Sequence, residues 1–123
     1  MKRKMGKEAE MAELILNETI TNELVNGLIE LFGAKLEQVI LYGSFARGDA
    51  DEESDIDVAV ILSAALSPDI MERFIAFNAE LDLKYNKVFS IIDINRDDIQ
   101  KWGTIVPFYE NINREGIVLW KAA

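Results

Sequence analysis

Two short stretches of this chain carry residue types that together can bind phosphate and a metal ion. The first runs from Leu41 through Gly43, Ser44 and Arg47 to Gly48; the second, Ser54 to Val60 with Asp55 and Asp57, follows an acidic loop. Residues 38–42 form a short apolar run rich in strand formers, and it stops at Gly43, where the chain can turn tightly without a Cβ clash. Backbone N–H groups at such a strand-to-helix turn point outward without partners. They can hold phosphate oxygens, with the Ser44 hydroxyl as a further donor, and Arg47 adds positive charge nearby. Asp55 and Asp57 are one residue apart, which on a strand places both carboxylates on the same face. Like charges at that spacing repel unless a cation lies between them. Mg²⁺, a hard ion satisfied by one or two carboxylates plus substrate phosphates, fits best. Ile56, Val58, Val60 and Leu62 point the other way, into a core.

The elements that must position these groups follow from periodicity. From about Lys7 to Phe32, Met11, Leu14, Ile15, Ile20, Leu24, Leu28, Ile29 and Leu31 recur mostly at helical spacing and end near Gly33, which predicts one or two helices. A break is expected around Asn17 to Thr21, where cap residues replace good helix interior. Strand 38–42 is followed by the glycine turn, a short helix, the solvated acidic loop with Asp49, Asp51, Glu52 and Glu53, and strand 55–62. Ser67 and Pro68 read as a helix start, continued by Ile70, Phe74, Ile75, Phe77, Leu81 and Tyr85. Residues 87–94, rich in β-branched and aromatic side chains, form a third strand. A short helix over 96–102, a final helix from Pro107 to Gly116 and a short run over 117–120 close the chain. Trp102, Phe108, Tyr109 and Trp120 lie in these closing elements, which favours core packing or a partner surface over a base-stacking platform, with packing preferred.

A length of 123 residues suits a single domain spanning 1–123, and the 50% hydrophobic fraction fits a globular chain. Acidic side chains number 22 against 13 basic ones, a net charge of −9 that opposes non-specific attraction to nucleic acid or anionic membrane. The basic cluster Lys2, Arg3, Lys4 and Lys7 reads as a solvated end. Without cysteine there is no disulfide framework, and with no signal-peptide pattern a cytoplasmic location is the simplest expectation. Histidine is also absent, which excludes a Ser-His triad and makes zinc an unfavoured metal. No apolar run approaches the ~20 residues that span a bilayer.

Gly43-Ser44 followed by Asp55-Ile56-Asp57 resembles the signature of the polymerase-beta-type nucleotidyltransferase superfamily, and by length and element order the whole chain resembles its minimal nucleotidyltransferase (MNT) antitoxin branch. The two halves together are far more specific than a lone D-x-D in a strand. The resemblance implies an α/β (α+β) polymerase-beta-like fold, a small mixed sheet flanked by helices. It implies a nucleotide site at Gly43, Ser44 and Arg47, and Asp55 and Asp57 as catalytic metal ligands for Mg²⁺ with ATP or another nucleoside triphosphate. The implied reaction moves a nucleoside monophosphate, AMP in the favoured case, to an acceptor hydroxyl by in-line displacement. Minimal nucleotidyltransferases often pair with a small helical HEPN-domain protein as antitoxin and toxin, and some attach AMP to a tyrosine of that partner.

The superfamily commonly adds a third carboxylate from the neighbouring strand, which can take the proton of the attacking hydroxyl. Strand 87–94 carries Ser90 at its centre, and its only acid, Asp93, lies near the far end. Ser90 and Asp93 have opposite parity, so Asp93 joins the metal site only if the strand register turns it toward Asp55 and Asp57; otherwise it is a strand-end residue that caps the following helix. Glu80 and Asp82 are expected as exposed positions on the preceding helix. Serine at the third position supports a competing reading, a module that binds and masks a partner without catalysis. A small-molecule nucleotidyltransferase is disfavoured because such enzymes usually carry additional substrate-binding structure. An exposed face of the first or closing helices could also make a homo-oligomer.

Overall fold

The structure, a computed structural model, describes residues 18–123. The expected helical positions Met11, Leu14 and Ile15 and the basic cluster at residues 2–7 lie outside the described residues. Helix α1 (Glu18–Phe32) buries Ile20, Leu24, Val25, Leu28 and Phe32, a three-and-four spacing that lines one face of a helix. Residues 18–21 of the stretch where a break is expected are helical, and Asn17 lies outside the described residues. A single 3₁₀ turn over Gly33–Lys35 leads into strand β1 (Leu36–Tyr42), two residues longer at its start than the apolar run suggests. Then come the one-turn helix α2 (Ser44–Arg47), strand β2 (Ile56–Leu62), helix α3 (Pro68–Tyr85), strand β3 (Phe89–Asn95), helix α4 (Arg96–Trp102), helix α5 (Pro107–Glu115) and strand β4 (Ile117–Lys121). Helix α3 starts as its residues dictate: Ser67 Oγ accepts from Ile70 N at 3.2 Å, and Pro68 occupies the first turn.

The four strands form one mixed sheet in the order β3-β2-β1-β4. Strand β1 runs antiparallel to both β2 and β4, while β2 and β3 are parallel and joined through α3, as a parallel pair requires a crossover. Ile56, Val58, Val60 and Leu62 face α1 and α3 together with Val39, Leu41, Phe89 and Ile91. The opposite face is covered too. Ile40, Ala59, Ile61 and Ile94 pack there against Ile112 of α5, with Tyr42, Ile92, Ile99 and Tyr109 at the margin. Strand β2, central and covered on both sides, is therefore buried at every position except Asp57. A carboxylate that interrupts an otherwise apolar central strand opposes folding unless function retains it. Among the described residues no helix is long and apolar enough to cross a membrane.

The entry into β3 is held by side chains of α3. Asp82 Oδ1 accepts from the Phe89 amide at 2.7 Å, and Asn78 Nδ2 donates both to Asp82 Oδ1 at 3.3 Å and to the Phe89 carbonyl at 2.8 Å. Ile56 N donates to Val88 O at 2.8 Å on the inner side, so the Phe89 groups point to the outer edge of the sheet. Both would otherwise lack strand partners. Asp82 is thus half-buried and structural, in contrast to the exposed helix position that spacing alone suggests. Asp82→Ala strips the Phe89 amide of its acceptor and is expected to lower stability by about 1–3 kcal/mol. Urea unfolding measures it, and Asp82→Asn, which keeps an acceptor oxygen, should recover most of the loss.

Candidate active site

The turn after β1 depends on glycine for two separate reasons. Gly43 has φ 76° and ψ −155°, a region closed to side-chain-bearing residues in practice. A Cβ there would also run into the Asp57 carboxylate, whose Cγ would lie 3.0 Å away. The absence of a side chain lets the turn close directly over Asp57. Helix α2 then makes one turn, with Arg47 N donating to Gly43 O and Gly48 N to Ser44 O, each at 3.0 Å. Phe45 anchors it in the α1/α3 core, and Gly48 ends it in the left-handed region at φ 83°. The first amides of a helix have no carbonyl one turn before them. Those of Ser44 and its neighbours can therefore receive a phosphate oxygen.

Register brings the polar groups together. Asp57 pairs with Tyr42 on β1 and with Ser90 on β3, so the three side chains share the sheet face that carries Ala59 and Ile61. Asp55 stands one residue before β2 begins and is exposed; the expected strand start at residue 55 is one residue early. Burial first, and the Asp55 charge second, raise the proton affinity of Asp57, while Arg47 opposes them. Burial and then the Asp57 charge likewise push the Tyr42 hydroxyl up. The site is an anionic centre, and among the described residues no ion pair forms on Asp55 or Asp57. Two carboxylates without imidazole or thiolate suit a hard divalent ion. Among the described residues no group of three or more such side chains converges; a Mg²⁺ ion held by two carboxylates would take its other ligands from water and substrate phosphates.

Arg47 lies at the rim. Its Nε is 3.2 Å from Asp49 Oδ2, and its Nη1 is 3.4 Å from Glu115 Oε1 at the end of α5. Helix α5 touches the site a second time through Phe108, whose ring meets Tyr42 edge-on at 5.7 Å between centroids. Motif reasoning does not single out Tyr42, Phe108 or Glu115 as site residues. The spacing Phe108, Ile112, Glu115 carries a signal for the first and last of these, because it lines one face of α5 and the middle residue is buried on the sheet.

Other candidates are not brought to the carboxylate pair. Asp93 pairs with Val60, three residues beyond the Asp57–Ser90 pair in an unbroken register, so it faces the opposite side and is exposed. The geometry corrects both expected roles: Asp93 is turned away from the carboxylate pair, and Asn95, whose Oδ1 accepts from Asp97 N at 2.8 Å, caps α4 in its place, leaving Asp93 as a charge on an edge strand, which discourages pairing with another sheet. Glu80 is exposed and lines a groove between α1 and α3 with Gly27, Arg73 and Phe77. The acidic loop is closed by its own bonds, Asp51 N to Ser54 Oγ at 3.0 Å and Glu53 N to Asp51 Oδ1 at 2.9 Å, and Lys87 Nζ ties it to the start of β3 through Glu52 O at 2.9 Å. Among the closing aromatics, Tyr109 and Trp120 pack against the two cores. Trp102 and Phe108 depart from the packing expectation, remaining 39% and 42% exposed.

The sequence profile of the family described as "Polymerase beta, Nucleotidyltransferase" matches residues 26–122, from α1 to the end of the sheet. The chain belongs to the polymerase beta nucleotidyltransferase family. Two relatives in Methanocaldococcus jannaschii, both named as candidate protein adenylyltransferases, support this membership. One is 31% identical over 71% of this chain and 95% of its own length, the other 32% identical over 84% and 97%. The polymerase beta nucleotidyltransferase fold is matched by a chain of a toxin–antitoxin crystal structure with AMP-PNP, at a TM-score of 0.59 and 20% identity over 83% of this chain and 73% of that one. It is also matched by a chain of the tri-AMPylated Shewanella oneidensis HEPN toxin in complex with MNT antitoxin, at a TM-score of 0.55 and 17% identity over 85% and 72%.

Two stability experiments probe this geometry. Because the Asp57 proton affinity is raised on folding, the unfolded chain releases that proton first as pH rises. Stability therefore falls from the ordinary carboxylate value, 3.8, up through the folded one, and the loss is complete above it. Asp57→Asn is expected to raise Tm at pH 7 without nucleotide or metal and to make no difference below the carboxylate range, as thermal melts across pH will show. Gly43→Ala should lower Tm well beyond Gly33→Ala, because Gly33 also has positive φ but nothing within 4 Å of the place a methyl group would occupy; the difference reports the closed backbone region at Gly43 together with the contact with Asp57.

Proposed function

We propose that the chain moves a nucleoside monophosphate, AMP from ATP in the favoured case, onto the hydroxyl of a tyrosine in a HEPN-domain partner, as the antitoxin of a toxin–antitoxin pair. The observation that carries the reading is the place of Asp57. It is the one polar interruption of a buried central strand, raised in proton affinity beside Asp55 and seated under a turn that only glycine fits. Support for an adenylyl donor and a protein acceptor comes from the relatives' names and from the AMPylated toxin in the complex of like fold.

In this reading Gly43 and Ser44 hold the triphosphate through backbone amides and the Ser44 hydroxyl, and Arg47 adds charge at the rim. Asp55 and Asp57 hold Mg²⁺, which when bound neutralises phosphate charge and helps align the in-line displacement. The acceptor oxygen forms a bond to the α-phosphorus as the bond to the β-phosphate bridging oxygen breaks, and pyrophosphate leaves. The proton of the acceptor needs a destination. Ser90, in register beside Asp57, is not a base, so the proton leaves to water and the step is slow. Phe108 and Tyr42 form an aromatic wall at one side of the site.

Ser90 is also the specific observation that favours the second reading, a fold that masks its partner without turnover. Nucleotidyl transfer to the partner, followed by mass spectrometry, separates the two. For an enzyme, Asp55→Asn and Asp57→Asn should each reduce transfer on the order of 10²-fold or more while the partner complex persists, and chelation of Mg²⁺ should abolish transfer. Ser90→Asp should speed it, by about ten- to a hundredfold if a base is restored. Suppression of the partner's toxicity that survives both asparagine variants would instead establish masking.

A further inference from the structure

We infer that Glu115 is a positioning residue for nucleotide binding: it holds the Arg47 guanidinium at the rim of the site until the phosphates of a nucleoside triphosphate displace it. The inference rests on the function proposed for the same site. Two carboxylates share this one cation, Asp49 through Nε at 3.2 Å and Glu115 through Nη1 at 3.4 Å. Arg47 closes the one-turn helix that begins at Ser44, and its amide donates to Gly43 O at 3.0 Å, so the guanidinium stands beside the glycine turn. The two acids are held differently. Asp49 is 61% exposed on the loop that follows α2, whereas Glu115 is 26% exposed at the end of α5. The backbone there is fixed, because Gly116 N donates to Ile112 O at 2.9 Å and a Cβ on Gly116 would run into Ile112 and Ile40. The end of α5 thus lies tight against β1 at Ile40, and from there Glu115 reaches Arg47.

Glu115 can also release its partner without being stranded. Its second oxygen, Oε2, lies 3.5 Å from Arg114 Nη2, and Arg114 Nη1 in turn lies 3.3 Å from Glu110. When phosphate takes Arg47, Glu115 keeps a cation, which removes the usual cost of an unpaired carboxylate. Phosphate and carboxylate oxygens compete for the same guanidinium donors. An exposed ion pair is weak, so a triphosphate wins the exchange, and the carboxylate sets how tightly nucleotide binds rather than how fast it reacts.

The test is calorimetric titration of the full chain with ATP and Mg²⁺ at low and high salt, for the unmodified protein, Glu115→Gln, Asp49→Asn, Arg47→Ala and Glu115→Gln combined with Arg47→Ala. Glu115→Gln is expected to bind ATP about two- to fivefold more tightly at low salt, less so at high salt, with a smaller gain in the same direction for Asp49→Asn. The gain should vanish without Arg47, and in transfer assays KM for ATP should fall with kcat unchanged, a split that a purely structural role would not produce. Unchanged or weaker binding by Glu115→Gln, or an equal gain in the Arg47→Ala background, overturns the inference while the proposed function stands. No ATP binding by the unmodified chain overturns the proposed function and the inference with it.

Discussion

A carboxylate, Asp57, occupies the central strand of a sheet whose neighbouring positions are all buried, and the rest of the site is arranged around that charge. Folding raises its proton affinity, through burial first and through Asp55 second. The turn above it must be glycine, because a side chain at Gly43 would meet the carboxylate itself. A strand filled by apolar residues at every position would fold better. In the proposed function the arrangement offers instead a pair of carboxylates whose mutual repulsion a divalent ion would relieve, beside amides that would take phosphate.

The two layers of helices have different tasks around this centre. Helices α1 and α3 cover the face away from the carboxylate with the larger of the two apolar clusters, and α3 additionally fixes where β3 begins through Asn78 and Asp82. That placement decides that Ser90, and no acid, stands beside Asp57. Helices α4 and α5 cover the other face with a smaller cluster, which leaves the end of the sheet at Asp57 open. Helix α5 borders that opening at two points, Phe108 on Tyr42 and Glu115 on Arg47.

Charge is distributed in a way unusual for a site that is proposed to take a polyanion. The chain carries a net −9, and its cation at the rim, Arg47, is already engaged by two acids. Affinity for a triphosphate must then come mainly from backbone amides and from the ion the nucleotide brings. The same surplus of negative charge opposes non-specific contact with nucleic acid, so on the proposed function a nucleotide would be admitted by local geometry rather than by a basic field.

Much of this was legible in the sequence because it rests on local rules. Glycine at a strand end, carboxylates one residue apart, a serine-proline helix start and β-branched runs each act within a few residues, and they pointed to Gly43, Ser44, Arg47, Asp55 and Asp57 and to nearly every element within two residues. Opposite parity of Ser90 and Asp93 was also readable, and it showed that only one of them could join the site. Which one depended on register between β2 and β3, a contact between distant segments that no local pattern encodes; the structure chose Ser90. The same holds for Asp82, whose spacing on α3 reads as exposed but whose partner, the Phe89 amide, is supplied by the next strand. Tyr42 and Glu115 became site residues for the same reason, one by cross-strand pairing and the other by a helix returning from 68 positions away. Sequence by itself determined the chemistry available to the site, because residue type and short spacing carry it; only tertiary structure decided which groups meet, because pairing register and helix docking are set by burial over the whole chain.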